Sequence, residues 1–294
     1  MKKLLLLLIS AYLVTLSVPA VLEAQEKAVY KVSGANLFAD VFEKFSDAFQ
    51  ASNKGCRPLM LGSTTGKAIS EFLNGETVLV MASRATDSKE NDIASSKGIQ
   101  LSEKPVGKTS LAVVTNAKNP VDELSMEQLR KIFAGEIVNW KDVGGPDETI
   151  RVTIRAVPET GAGVLFQQVV LKGAPYAPHA QVMGSYGTTL LVAEKSMSIG
   201  YVPTASGYYT RMSTGVKEIR IRLDESPQAV SAPVGLVRDT SFPISIPLIL
   251  IWNEKTLDPC MSNFVDFVEK TINGVDSRKS GLPKGSAPIV RLDE

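Results

Sequence analysis

An alternation of strand, small-residue loop and helix recurs along this chain and restricts its fold more than any other feature. It is plainest from Ile150 to Phe166. Ile150 to Arg155 alternates apolar and polar residues, as a strand does. Ala156-Val157-Pro158 and Glu159-Thr160-Gly161-Ala162-Gly163 then form a loop of small residues, and an apolar run ending at Phe166 opens a helix. The first-turn N–H groups of a helix have no internal acceptor and carry partial positive charge. Glycine lets a ligand approach that backbone, and a hydroxyl such as that of Thr160 adds a donor. Such a loop is a potential anion site.

The same arrangement recurs upstream. Ala28 to Ser33 reads as a strand, Gly34-Ala35-Asn36 as its loop, and Phe38, Val41, Phe42, Phe45 and Phe49 as the buried stripe of a helix. Pro58 to Leu61 is a second strand, followed by Gly62-Ser63-Thr64-Thr65-Gly66 and a helix with Ile69, Phe72 and Leu73 on one face. Val78 to Met81 is continuously apolar, as buried parallel strands are, and leads through Ala82-Ser83-Arg84 into a helix started at Asp87. Strand–loop–helix repetition implies an α/β fold with parallel sheets, whose ligands sit at the carboxyl ends of strands. Farther along, Leu111 to Thr115 begins a second strand group. Ser125 with Gln128 starts a helix through Phe133 in the manner of a capping box. Ser185 to Glu194 reads as a helix and Ser198 to Val202 as a short buried strand. Phe242 to Trp252 reads as a long strand with an edge or crossover role, since Pro243 and Pro247 interrupt it.

Lys2 and Lys3 precede an apolar run from Leu4 to Leu16, which reads as a secretory leader cleaved after Ala24. An uncleaved anchor is the alternative. No cysteine ends the leader, so no lipid anchor is expected there. The chain has 32 Lys and Arg against 31 Asp and Glu. Loss of two lysines and Glu23 with the leader leaves a net charge of zero. A neutral chain without a basic run argues against nucleic-acid binding, so any anion must be captured by local geometry. Cys56 and Cys260 fit either a disulfide in an exported protein or two buried thiols. His179, the single histidine, reads as a loop residue, and neither a metal site nor a cofactor is expected.

Gly62 to Ala68 is one residue short of a nucleotide-binding P-loop and carries Ala68 where the magnesium-holding hydroxyl would stand. Arg84 offers a planar fork of donors to an oxyanion, or an ion pair to Asp87 or Asp92. Arg155 poses the same choice. Asp87 could accept from a proton-bearing anion or cap its helix. There is no Gly-x-Ser-x-Gly elbow and no partnered histidine, so the chain does not read as an enzyme.

Residues 125–166 contain Lys131-Ile-Phe133-Ala-Gly135-Glu-Ile-Val-Asn139-Trp140-Lys-Asp-Val-Gly144-Gly145, then the Ile150 strand and the small-residue loop. This string resembles the phosphate-binding proteins of ABC importers. Ser33-Gly34, Gly62 to Gly66, Ala82-Ser83-Arg84, Ser198-Ile-Gly-Tyr201 and Phe242-Pro243-Ile244 match further landmarks of that family. The resemblance implies a two-lobe type II periplasmic-binding-protein fold, with a hinge that closes an interlobe cleft on ligand. Residues 25–108 plus 245–294 would form lobe I, and residues 109–244 lobe II. It implies ligand contacts from Ser33, Gly34, Ser63, Thr64, Ser83, Arg84 and Asp87 in the first lobe, and from Arg155, Thr160, Gly161 and Ala162 in the second. The implied ligand is inorganic phosphate or a related oxyanion, the implied partner a membrane ABC permease, and the implied state a periplasmic monomer. The second-lobe loop departs from the family's Ser-Gly-Thr. Thr160 keeps a hydroxyl, Ala162 loses one, and Glu159 brings a negative charge. An exported interaction or sensory module with a weakened or altered anion site is the alternative reading.

Overall fold

The computed structural model describes residues 28–157, 160–210, 215–223, 228–238 and 240–275. The expected leader over residues 1–24, Glu159 and the tail from Ser277 lie outside the described residues. The first elements are β1 (Ala28–Ala35), α1 (Ala39–Ser52), β2 (Cys56–Ser63), α2 (Thr65–Leu73), β3 (Leu79–Ala82), α3 (Ser88–Ser96) and β4 (Leu101–Asn116). Next come β5 (Glu123–Ser125), α4 (Met126–Ala134), β6 (Arg151–Ile154), α5 (Gly161–Val169), β7 (Gln181–Val182), α6 (Ser185–Glu194), β8 (Ser198–Pro203) and α7 (Gly207–Thr210). The last are β9 (Val216–Arg222), β10 (Ala229–Val230), β11 (Leu236–Val237), β12 (Ser245–Asn253) and α8 (Pro259–Val275).

β1 lies between β2 and β3 and is parallel to both. β12 follows, antiparallel to β3, and β4 runs antiparallel to β12. β4 then changes neighbours. Its residues up to Ser110 pair with β12, and from Leu111 onward it pairs with β8 and β9. β6 is parallel to β8, and β7 extends that side. The alternation of β3 separates two apolar layers. Leu79 and Met81 join the α1 phenylalanines, while Val80 and Ala82 join Ala68, Ile69 and Phe72 of α2. Phe264 of α8 meets Phe42 and Phe49 edge-on at 5.6 and 5.3 Å, closing the layer over α1.

Two strand expectations change. The strand expected from Leu111 begins ten residues earlier, at Leu101. Its first half, with Glu103, Lys104 and Pro105, lacks apolar alternation and is ordered by the β12 ladder, which shifts register between Leu248 and Ile249 opposite Pro105. β12 is no edge strand, because it runs between β3 and β4. Pro247 is tolerated because the β3 pairing starts only at Ile249, so one side of Pro247 is unpaired. The sheet is therefore mixed, not parallel throughout.

Cys56 and Cys260 form a disulfide that joins the start of β2 to α8 across 204 residues of sequence, with Cα atoms 5.9 Å apart. A crosslink closing so long a loop chiefly restricts the unfolded chain. Replacing both cysteines by serine should lower unfolding free energy by about 4 kcal/mol. Urea denaturation of oxidised protein beside the double variant checks this. A shift below about 1 kcal/mol would contradict it.

Candidate functional site

The small-residue loops leave the carboxyl ends of β1, β2, β3 and β6, and those after β2, β3 and β6 meet. Thr65 opens α2 and Ser83 ends the β3 segment. Their hydroxyls are 2.8 Å apart, and the Ser83 amide donates to Thr65 Oγ1 at 3.0 Å. Gly161, first residue of α5, packs against Ser83. A Cβ on Gly161 would lie 3.1 Å from Ser83 Cβ and closer still to its Oγ. The start of α5 thus touches the end of β3, which pairs in the other part of the sheet. Both helices present first-turn N–H groups here: Thr65 and Gly66 in α2, Gly161 and Ala162 in α5.

Two buried polar atoms at these loops have no hydrogen-bond partner among the described residues. One is Ser63 Oγ, at the end of β2. The other is Arg155 Nε, just after β6. The Arg155 guanidinium donates to Ser185 Oγ at 3.0 Å, at the start of α6. No carboxylate among the described residues pairs with it, and burial pushes its pKa down. A desolvated cation without a counter-charge is an electrostatic demand for an anion.

An aromatic and phenolic frame holds this arginine and the α5 loop. Tyr201 stacks on Phe166 at 3.9 Å, and Phe133 packs on Phe166 at 4.6 Å. The Tyr201 hydroxyl accepts the Arg155 amide at 3.1 Å and lies 3.0 Å from the Tyr176 hydroxyl. Tyr176 in turn donates to the Gly163 carbonyl at 2.9 Å. Burial pushes the Tyr201 phenol up to about 12, so it stays neutral and keeps its proton for Tyr176.

Other candidate residues have different employment. The Ser33 hydroxyl donates to Glu71 of α2, beneath the loop. Gly34 is required for packing, since a Cβ there would lie 2.8 Å from Met60 Cε and 2.9 Å from Met81 Cβ. Thr64 caps α2, accepting from the Lys67 amide at 3.3 Å. Arg84 pairs with neither Asp87 nor Asp92. Its fork grips Glu90 with two 2.8 Å hydrogen bonds, and bonding to Glu90 raises its pKa. Asp87 caps α3 in a capping box with Glu90, which is why the Glu90 carboxylate turns back toward Arg84. Thr160 caps α5. Its hydroxyl donates to the Ala156 carbonyl at 2.7 Å and accepts from the Gly163 amide at 3.1 Å, so its proton is already engaged. The Ala162 side chain is buried in the core.

A family profile described as a PBP superfamily domain matches residues 22–270. The chain belongs to the PBP superfamily. It is similar to the phosphate-binding protein PstS of Staphylococcus saprophyticus, 26% identical over 269 residues that cover 90% of this chain and 81% of the relative. A structure from Clostridium perfringens, described as a phosphate ABC transporter substrate-binding protein with bound phosphate, aligns at TM-score 0.67 and 24% identity over 82% of this chain and 93% of that one. An ABC-type phosphate transport receptor from Vibrio cholerae aligns at TM-score 0.60 and 22% identity, covering 82% and 94%. The fold is the two-lobe type II periplasmic-binding-protein architecture. Those relatives are described as binding proteins and a transport receptor. No helix among the described residues is long and apolar enough to cross a membrane.

Sequence reasoning passed over Thr65, Tyr176 and Glu90. Thr65 stood inside the glycine loop without a role, and Glu90 was identifiable only as the third residue after the Asp87 cap. Tyr176 carried no signal, because its partners come from α5 and β8. Tyr201→Phe keeps the stack but removes the acceptor for the Arg155 amide. It should cost about 1–2 kcal/mol of stability, measured by denaturant titration at neutral pH. The raised phenol adds to an alkaline loss of wild-type stability that Tyr176 and Tyr209, also raised by burial, share. Its contribution is complete below the usual tyrosine value of 10.0 and is lost as pH rises toward about 12. Tyr201→Phe should make the alkaline loss shallower than in wild type, and an unchanged steepness would refute the assignment. Gly161→Ala should force the α5 start away from Ser83 and destabilise by about 1–3 kcal/mol, also read by denaturant titration.

Proposed function

We propose that this chain is an exported solute-binding protein that clamps inorganic phosphate, or a closely related oxyanion, between two lobes for delivery to a membrane ABC permease. The observation that carries this reading is a pair of buried polar groups without a partner among the described residues, Ser63 Oγ and Arg155 Nε, on segments joined through the Thr65–Ser83 and Gly161–Ser83 contacts. The names of the relatives supply phosphate, and the leader-like segment over residues 1–24 supports export. Residues 25–108 with 245–294 form lobe I in this reading, and residues 109–244 lobe II. The change of β4 partners between Ser110 and Leu111, and the start of β12 at Ser245, favour those limits. The anion would take N–H groups from the starts of α2 and α5, the Ser63 hydroxyl and the Arg155 guanidinium. Excluding water on closure strengthens each of those bonds.

Arg84 makes the weaker electrostatic contribution, because its side chain is 44% exposed and Glu90 already neutralises it. A second reading, an exported sensory module with a weakened anion site, is favoured by one observation. The Thr160 hydroxyl is spent on Ala156, and Ala162 offers none.

Calorimetric titration with phosphate, sulfate and molybdate separates the two. Transport binding predicts saturable heat with phosphate at micromolar concentrations, and the sensory reading predicts binding weaker than that. Absence of heat and of thermal shift with all three anions would defeat the transport reading, and tight phosphate binding would defeat the other. Arg155→Ala should weaken phosphate binding about thirtyfold, the scale of a lost hydrogen bond to a charged group. Arg84→Ala should weaken it less than about threefold, as expected for a solvated, already paired charge.

A further inference from the structure

A carboxylate outside the anion-facing loops ties α1 to the corner that follows β8. Asp40 is the acidic residue in the first turn of α1. Its Oδ2 accepts from the Gly207 amide at 2.6 Å. The approach is close because residue 207 has no side chain. A Cβ there would lie 3.3 Å from Oδ2 and 3.4 Å from Cγ. The two partners belong to different parts of the molecule. α1 packs on β2, in the sheet of β1 to β3, and α7 follows β8, in the sheet of β6 and β8.

The receiving side is anchored. Tyr209 of α7 donates its hydroxyl to Glu218 of β9 at 3.1 Å, and Glu218 also accepts the Ala232 amide at 2.6 Å. A pull on Gly207 is therefore transmitted to β9 instead of being absorbed by a loose turn. We propose that Asp40 is a closure latch. Its carboxylate holds the β8–α7 corner against α1 in the closed arrangement and sets how long the cleft stays shut on its anion. This inference rests on the two-lobed reading above. A bond made only in the closed state shifts the closed population and slows release, without touching the ligand.

The variant pair Asp40→Ala and Asp40→Asn tests the latch, because asparagine keeps an acceptor oxygen and loses the charge. One arm measures the distance between dyes at exposed positions 92 and 196 by single-molecule energy transfer, with no anion added. The other measures dissociation of inorganic phosphate by stopped flow. Asp40→Ala should lengthen the inter-dye distance and speed phosphate release about tenfold at unchanged association rate, the scale of one charge-assisted hydrogen bond. Asp40→Asn should stay within about threefold of wild type, since a neutral bond replaces a charged one. An unchanged distance in Asp40→Ala would overturn the latch. So would slower release in both variants, which would mean that the carboxylate acts only by repelling the anion. If wild type binds no phosphate, the anion reading fails, and the distance arm still decides the latch.

Discussion

The whole arrangement hangs on β4. One sixteen-residue strand serves two sets of neighbours, β12 and β11 over its first part and β8 and β9 over its second. A strand resists bending within a ladder, so the point where it changes partners is where the two parts of the sheet can turn against each other. The loops of the candidate site attach to one side or the other of that point. Ser63 and Ser83 follow strands on the β12 side, and Arg155 and Gly161 follow β6 on the β8 side. The contact of Gly161 with Ser83 and the bond of Asp40 to Gly207 bridge the two sides.

The local rules of chain folding made much of this legible. The α1 stripe, the Ser125–Gln128 capping box and the continuous apolar run of β3 are all short-range signals, and each element forms where its residues dictate. What the chain did not disclose depends on partners far away in sequence. The first half of β4 has no apolar rhythm and is ordered by β12, well over a hundred residues later. Pro247 argued for an edge because the ladder on its second side begins two residues beyond it. The disulfide was one of two open choices, since nothing local to Cys56 or Cys260 reports that their Cα atoms lie 5.9 Å apart.

The candidate site divides in the same way. That the loops after β1, β2 and β3 share one sheet edge was readable from strand order, whereas the approach of the Thr160 loop to them followed only from the family resemblance. What each hydroxyl and carboxylate does was not, because caps and ligand contacts recruit the same residue types. Thr64, Asp87 and Thr160 all cap helices, as their position before a first turn predicts. Each cap on α2 and α5 fixes the first turn and leaves the two N–H groups before the capped one without an intrahelical acceptor.

Arg84 and Arg155 show how burial decides which charge counts. A pair of charges at 4 Å is worth about 1 kcal/mol in water and about 4 kcal/mol at the effective dielectric typical of a protein. Arg84 lies near the first limit and has spent its fork on Glu90. Arg155 lies nearer the second, with burial opposing its charge and no counter-charge among the described residues. Desolvation that destabilises the empty site is recovered when an anion arrives, so the arginine whose pKa is depressed is the one with more to gain from a ligand. With 32 basic against 31 acidic residues the chain has no global positive field, so a buried, unneutralised charge is the kind of feature that could favour an anion locally.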